Sequence, residues 1–211
     1  KASIITNLFG HPATLKEARI TAEHLGGILI EDNAQSSLAM EGGQYAGTIG
    51  HIGVWSLNVH KQLNSGEGGI ICTDDDKLAH HLRLFVNHGE LSGSSAFSGV
   101  GLNLRMTEMT AAIAITQLNR ADEIIENRIN QANGLTSVAS GFEWLTPPKV
   151  REGCKHVYYT WSFKFDHKEL GISREQFVRA MGAEGFPLVN GYVAPLYRLP
   201  AFSRYARPCP V

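Results

Sequence analysis

Short apolar runs alternate with amphipathic helical segments from the first residues of the chain onward, and this order constrains the fold more than any other feature. Ser3 to Thr6 reads as a short buried strand. Thr14 to Leu25 follows with helical spacing, with Thr14 as N-cap, Glu17 three residues on and Gly26-Gly27 as the stop. A second apolar run, Gly27 to Glu31, ends in the two acids Glu31 and Asp32. Strand, helix, strand in this sequence predicts an α/β fold, and an open α/β sheet holds its ligands at the carboxyl ends of its strands. Asp32 therefore stands where chemistry is usually done.

Downstream, a glycine-rich loop (Gly42, Gly43, Gly47, Gly50) leads to strands expected over Ile52 to Leu57 and Gly69 to Thr73, separated by the polar stretch Asn58 to Gly69. A helix is expected from Asp74 to about Val86. Asp74, Asp75 and Asp76 favour a helix N-terminus, and Leu78, Leu82 and Phe85 keep one apolar face. Gly89 to Gly101 reads as a loop of Ser and Gly. Thr107 caps a long helical pattern reaching about Ser140, with a bend expected near Asn119. After Pro147-Pro148, Tyr158 to Phe165 alternates like a strand and Ser173 to Glu184 reads as a helix capped by Ser173. Residues 1–135 are expected to form a large α/β domain and 136–211 a small one, with the boundary in the long helix.

Composition narrows the function. The 211 residues are 43% hydrophobic and 18% charged, with a formal net charge of -1. That describes a soluble globular chain without the surplus of Lys and Arg that a nucleic-acid or membrane-surface binder needs. The three cysteines, Cys72, Cys154 and Cys209, are scattered and form no CxxC pair, which suggests neither a disulfide framework nor a zinc site and fits a reducing cytoplasm. His80 and His81 are adjacent on a helix and point apart, a poor metal pair. A dinucleotide fold would need GxGxxG ahead of Asp32, and none is present; HExxH, Walker A and GxSxG are absent too.

Four features carry chemistry: Asp32 with Gln35, the segment Ser56 to Lys61, the turn Gly66-Glu67-Gly68-Gly69, and Asn103 with Arg105. Singly, each has an ordinary explanation as a cap, a solvated charge or a turn. In this order and spacing they resemble the DegT/DnrJ/EryC1/StrS sugar aminotransferases, which are fold type I enzymes using pyridoxal phosphate. The matching stretches are LIEDNAQSS, GTIGHIGVWSLNVHKQLNSGEGGIICTDD, LRLFVNHG, GLNLRMTEMTAAIAITQL and, more weakly, GYVAPLY.

The resemblance implies a three-layer αβα PLP-transferase large domain, incomplete at its N-terminus, with a small C-terminal α/β domain. It implies that Lys61 holds pyridoxal 5'-phosphate as an imine and moves a proton between substrate and cofactor, as a poised amine can. Asp32 would keep the pyridine nitrogen protonated, Gln35 would contact the ring or its phenolic oxygen, and Ser56 would donate to the phosphate. Asn103 and Arg105 match a motif whose Asn reaches the phosphate of the partner subunit, which implies a homodimer with shared active sites. His88 and Tyr192 fall where the family lines its substrate pocket. Glu67 is read as a brace for the loop after the lysine.

The implied reaction passes an amino group from glutamate or glutamine to a keto-sugar nucleotide. Cyclitol or amino-benzoate aminotransferases share the motifs. A truncated, non-catalytic family member acting as a binding or regulatory partner is the remaining alternative, whereas the related sugar dehydratases carry histidine in place of Lys61. Asn33 replaces a commonly small residue, and Leu57-Asn58 stands where an aromatic and a His are usual. The family's first portion, with its phosphate-cradling turn and ring-stacking aromatic, has no counterpart here, so the chain is expected to need that portion or a partner for stability.

Overall fold

A computed structural model describes residues 1–90, 99–191 and 194–203. Along the chain come β1 (Ala2–Thr6), α1 (Leu15–His24), β2 (Ile28–Asp32), the two-residue strands β3 (Met40–Glu41) and β4 (Gln44–Tyr45), β5 (Ile52–Ser56), β6 (Gly69–Cys72), α2 (Asp76–Val86), α3 (Glu108–Asn119) and α4 (Ala121–Ala139). After these follow β7 (Leu145–Thr146), β8 (Cys154–Lys155), β9 (Lys164–Phe165), α5 (His167–Leu170), α6 (Arg174–Ala183) and α7 (Pro200–Ser203). The chain divides into two compact units, Lys1–Phe142 with Thr146–Lys164, and Glu143–Leu145 with Phe165–Val211. The boundary expected at 135/136 falls inside α4, which stays whole in the first unit.

The expected strands form one sheet in the order β1-β2-β5-β6. The first three are parallel and β6 returns antiparallel. The register sets Thr6 opposite Asp32 and Asp32 opposite Val54, so the carboxyl ends of β1, β2 and β5 lie side by side. α1 packs on β1 and β2 through its buried Leu15 and Ala22. Leu15 is fully buried among Ala39, Ala46, Ile49, Ile125 and Val157, a core that draws on α1, three loops and α4. Burying side chains of this size contributes about 1.5–3 kcal/mol each.

Beneath this apolar cluster lies a polar one. Glu31 is fully buried, and its two carboxylate oxygens accept the main-chain N–H groups of Gly47 (2.6 Å), Ile49 (2.8 Å) and Gly50. Asn7 Nδ2 donates to Glu31 Oε2 (3.3 Å) and to Asn33 Oδ1 (3.1 Å), while Asn33 Nδ2 donates to the Ala46 carbonyl (2.9 Å). Ser36 Oγ donates to the Asn7 carbonyl at 2.6 Å. Four side chains with no exposure, Asn7, Glu31, Asn33 and Ser36, thus join the ends of β1 and β2 to the loop before β5. Gly47 sits at φ +92 where a Cβ would run into the Trp55 ring, so this loop accepts only glycine there.

Helix termini follow the sequence with one correction. Thr107 and Ser173 cap α3 and α6 as expected, Ser173 with a full capping box to Gln176, and of the three acids expected at the start of α2 it is Asp75 that caps it. Thr14 makes no side-chain cap, because its backbone (ψ 73) is not extended. Glu41 takes its place. Its Oε2 accepts the N–H groups of Leu15 (3.0 Å) and Lys16 (3.1 Å), and Arg151 holds its Oε1 at 2.8 Å. The bend near Asn119 is a complete break at Arg120 between α3 and α4.

Tyr158 to Phe165 was expected as one strand, but only Lys164–Phe165 is. Arg128 of α4 takes the carbonyls of Tyr158 (3.0 Å) and Tyr159 (2.9 Å), and Tyr158 adopts φ 47, which removes the segment from any ladder. In the second unit, Trp144, Phe165 and Phe177 form an aromatic cluster with ring centroids 4.7–5.9 Å apart.

Glu41→Ala is expected to lower the unfolding free energy by about 2 kcal/mol in chemical denaturation, since it removes a helix cap and the ion pair with Arg151. His156 provides a pH test. Burial lowers its pKa to about 4 from 6.5, helped by neighbouring His11 and opposed by its bond with the Gly10 backbone. The unfolded chain therefore takes up this proton at higher pH than the folded one. Stability present above about 6.5 should decline toward pH 4, on the order of 2 kcal/mol after allowance for partial solvent access, and His156→Gln should flatten that decline.

Candidate active site

Three loops meet at the carboxyl end of the parallel strands: 7–10 after β1, 33–38 after β2 and 57–68 after β5. Asp32 closes β2, half-buried, with Oδ1 accepting the Ala34 N–H at 3.1 Å. This short local bond keeps the carboxylate turned to its own strand end. Gln35 is buried; its Oε1 accepts the Phe9 N–H (2.8 Å) and its main-chain oxygen accepts Gln62 Nε2 (2.8 Å). Ser56 ends β5, where its Oγ accepts the Asn58 N–H at 3.3 Å.

Lys61 rises from a closed loop. Leu57 N–H donates to the Gly68 carbonyl and Ser65 N–H to the Leu57 carbonyl, both at 2.9 Å, and the Lys61 N–H turns back on the Asn58 carbonyl at 2.9 Å. Asn58 Nδ2 also donates to Glu67 Oε1 at 2.8 Å, so Glu67 braces the loop and Asn58 has a structural task. Lys61 forms no ion pair among the described residues. Its Nζ lies instead 4.9 Å from the centroid of the Tyr159 ring, within range of a cation–π interaction.

Tyr159 is the site residue that motif reading misses. It lies far along the chain in a segment with strand-like spacing, and its presentation depends on two features with no local signature. Arg128 clamps the 158–159 backbone, and Gly10 lets that backbone approach closely: at φ +98, a Cβ on Gly10 would sit 2.6 Å from the Tyr159 nitrogen.

A second cluster forms around Asn87. Asn103 pairs with it in an isolated antiparallel bridge, Arg105 Nη1 donates to its Oδ1 at 2.6 Å, and the neighbouring His88 (φ 57) donates its N–H to the Leu102 carbonyl at 3.0 Å. His88, Asn103 and Arg105 are thus brought together, though no hydrogen bond among the described residues joins them to Asp32, Ser56 or Lys61. The two clusters approach through Gly68, where a Cβ would meet Met106 Cε at 3.3 Å and Thr110 Cγ2 at 3.6 Å. Arg105 also lines an open groove of about 690 Å³ along β6, with Leu82, Val86, Leu104, Met106 and Arg83. Tyr192 and residues 91–98 of the Gly89 to Gly101 loop lie outside the described residues. Among the described residues no group of three or more potential metal ligands occurs.

This arrangement can attack a carbonyl carbon with an amine, hold a pyridine nitrogen with a carboxylate and bind a phosphate with a hydroxyl. The family model described as the DegT/DnrJ/EryC1/StrS aminotransferase family matches residues 1–210. The GDP-perosamine synthase of Caulobacter vibrioides is 28% identical, over 98% of this chain and 56% of its own length. An L-glutamine:2-deoxy-scyllo-inosose aminotransferase of Streptoalloteichus tenebrarius is 30% identical, over 93% of this chain and 49% of its own. The structure of an aminotransferase from Psychrobacter cryohalolentis superposes with a TM-score of 0.90 at 26% identity, covering 97% of this chain and 57% of that one. The chain spans about half the length of the curated relatives it matches.

If the Tyr159 ring holds the Lys61 amine, Tyr159→Leu should raise the rate at which an amine-reactive reagent labels Lys61 by about threefold or more, read by peptide mass spectrometry; an unchanged rate would remove Tyr159 from the site.

Proposed function

The chain belongs to the DegT/DnrJ/EryC1/StrS aminotransferase family, and on that premise we propose that it carries the lysine and the pyridine-side acid of a pyridoxal phosphate-dependent aminotransferase. The amino group would come from glutamate or glutamine and pass to a keto-sugar nucleotide. The observation that carries this reading is the convergence of Lys61, Asp32, Gln35 and Ser56 on neighbouring loops at one end of three parallel strands. This donor set fits the cofactor: an amine without a carboxylate partner among the described residues, an acid, a hydroxyl and an amide.

When bound, the cofactor supplies an electrophilic carbon and an electron-withdrawing pyridine ring that accepts negative charge from the substrate carbon. Lys61 would hold the cofactor through its amine and would take and return the proton at the substrate carbon. Asp32 holds the proton on the pyridine nitrogen. Ser56 donates its hydroxyl to the phosphate. Gln35, whose amide oxygen accepts the Phe9 N–H, is assigned to contact with the ring or its phenolic oxygen. His88 and Tyr192 are assigned to the substrate pocket.

A homodimer with shared sites is part of the proposal. α3 begins just after Asn103 and Arg105, has no buried residue, and exposes Met109, Ile113, Ile115 and Leu118 by 52–79%. Large apolar side chains exposed along one helix mark a surface that packs against a partner. A second copy covering it would receive Asn103 and Arg105 at its own phosphate. The first compact unit is assigned to the cofactor-binding domain and the second to the small domain. No helix among the described residues is long and apolar enough to cross a membrane.

The keto-sugar reading draws support from the relative named for GDP-perosamine synthesis, and glutamine as donor from the relative named for it. That second name equally favours a cyclitol acceptor, which is the competing reading. In the complete protein, pyridoxal phosphate should produce a visible absorption band that glutamate or glutamine discharges and a keto-sugar nucleotide restores. Lys61→Ala should abolish the band and the turnover, and Asp32→Asn should keep the band while lowering turnover by about a hundredfold or more. Turnover surviving in Lys61→Ala would sink the assignment; restoration by a keto-cyclitol alone would select the competing acceptor.

A further inference from the structure

Next to Lys61 stands a buried amide with an unusual balance of bonds. Gln62 is only 6% exposed, its Nε2 donates to the Gln35 carbonyl at 2.8 Å, and its Oε1 is buried with no hydrogen-bond partner among the described residues. Its orientation is settled by chemistry: turning the amide over would set oxygen against the Gln35 oxygen. A neutral hydrogen bond contributes about 1 kcal/mol, whereas a buried acceptor left unpaired costs about 1–3 kcal/mol, so Gln62 does not stabilise the fold on balance.

What Gln62 does accomplish is geometric. Its bond is a direct tie between the 57–68 loop, which carries Lys61, and the 33–38 loop, which continues from Asp32. The other hydrogen bonds around Lys61 close the 57–68 loop on itself. Gln35 is in turn fastened to the 7–10 loop through Phe9. The distance from the lysine backbone to the Asp32 strand end therefore runs through Gln62 and Gln35.

We propose that Gln62 is a positioning residue that sets the reach of Lys61 relative to Asp32 across the cofactor, retained at the expense of an unpaired buried oxygen. This inference rests on the aminotransferase reading. A loosened lysine loop lets the amine sample geometries in which the ring, the lysine nitrogen and the Asp32 carboxylate are out of line. The proton affinity of the lysine nitrogen and the rate of proton transfer both depend on that alignment.

The test compares Gln62→Leu and Gln62→Met in the complete protein. Each variant removes the stranded Oε1 and takes one donor from the Gln35 carbonyl, two effects of opposite sign and similar size. The melting temperature of the cofactor-free protein should therefore stay within about 3 °C of the parent. The pH midpoint at which the lysine-bound cofactor changes its visible band should move by about half a unit or more, and kcat should fall about tenfold with KM for the donor little changed. An unmoved midpoint with kcat within about twofold of the parent overturns the inference. So does a fall in melting temperature beyond about 5 °C in both variants, because that identifies a structural role. A parent protein that forms no band with pyridoxal phosphate overturns the functional reading and this inference together, whereas a normal parent band with unchanged variants overturns this inference alone.

Discussion

A buried carboxylate with no ion pair among the described residues organises this protein. Glu31 lies one residue before Asp32 at the end of β2, fully enclosed, and its oxygens are matched by main-chain N–H groups of the 47–50 loop and by the Asn7 amide. Enclosing a carboxylate without such donors would be prohibitive, so the loop must come to it in one conformation. That requirement fixes the entry to β5, and hence the position of Ser56 and of the lysine loop that follows. Asn7 and Asn33 extend the same matching to the end of β1. The strand ends are aligned by polar complementarity, a more directional constraint than apolar packing alone.

Around that alignment the site divides into parts that hold and parts that react. Glu67, Asn58, Gly68 and Ser65 close the lysine loop; Arg128 and Gly10 present Tyr159 to the lysine amine. Of the residues assigned to chemistry, Asp32 and Ser56 bond locally, to Ala34 and Asn58, while Gln35 is tied to the two neighbouring loops through Phe9 and Gln62. Rigid support under sparsely bonded reacting groups is the arrangement expected where a cofactor supplies the reactivity and the protein supplies orientation.

Much of this was legible in the sequence because it is local. Strands β1, β2, β5 and β6, the caps at Asp75, Thr107 and Ser173, and the break near Asn119 all follow from residue spacing and from side chains within a few positions. The spacing of Asp32, Ser56, Lys61 and the GEGG turn pointed to the family because one continuous stretch of chain, from β2 to β6, carries them. The failures share a cause. Glu41 displaces Thr14 as the cap of α1, and Arg128 draws Tyr158 and Tyr159 out of a strand, in both cases through a side chain distant in sequence that local periodicity cannot register. Tyr159 and Gln62 were unreadable for the same reason: each acquires its meaning from a partner in another loop.

The exposed face of α3 has a consequence for how such a protein behaves in dilution. The helix starts directly after the strip bearing Asn103 and Arg105, and its large apolar side chains Met109, Ile113, Ile115 and Leu118 stay exposed. Whatever covers it also fixes the height and angle of that strip. If the cover is a second copy, occupancy of the strip obeys mass action. Specific activity then becomes a property of protein concentration, rising and saturating as the solution grows denser, with cofactor and substrates held constant.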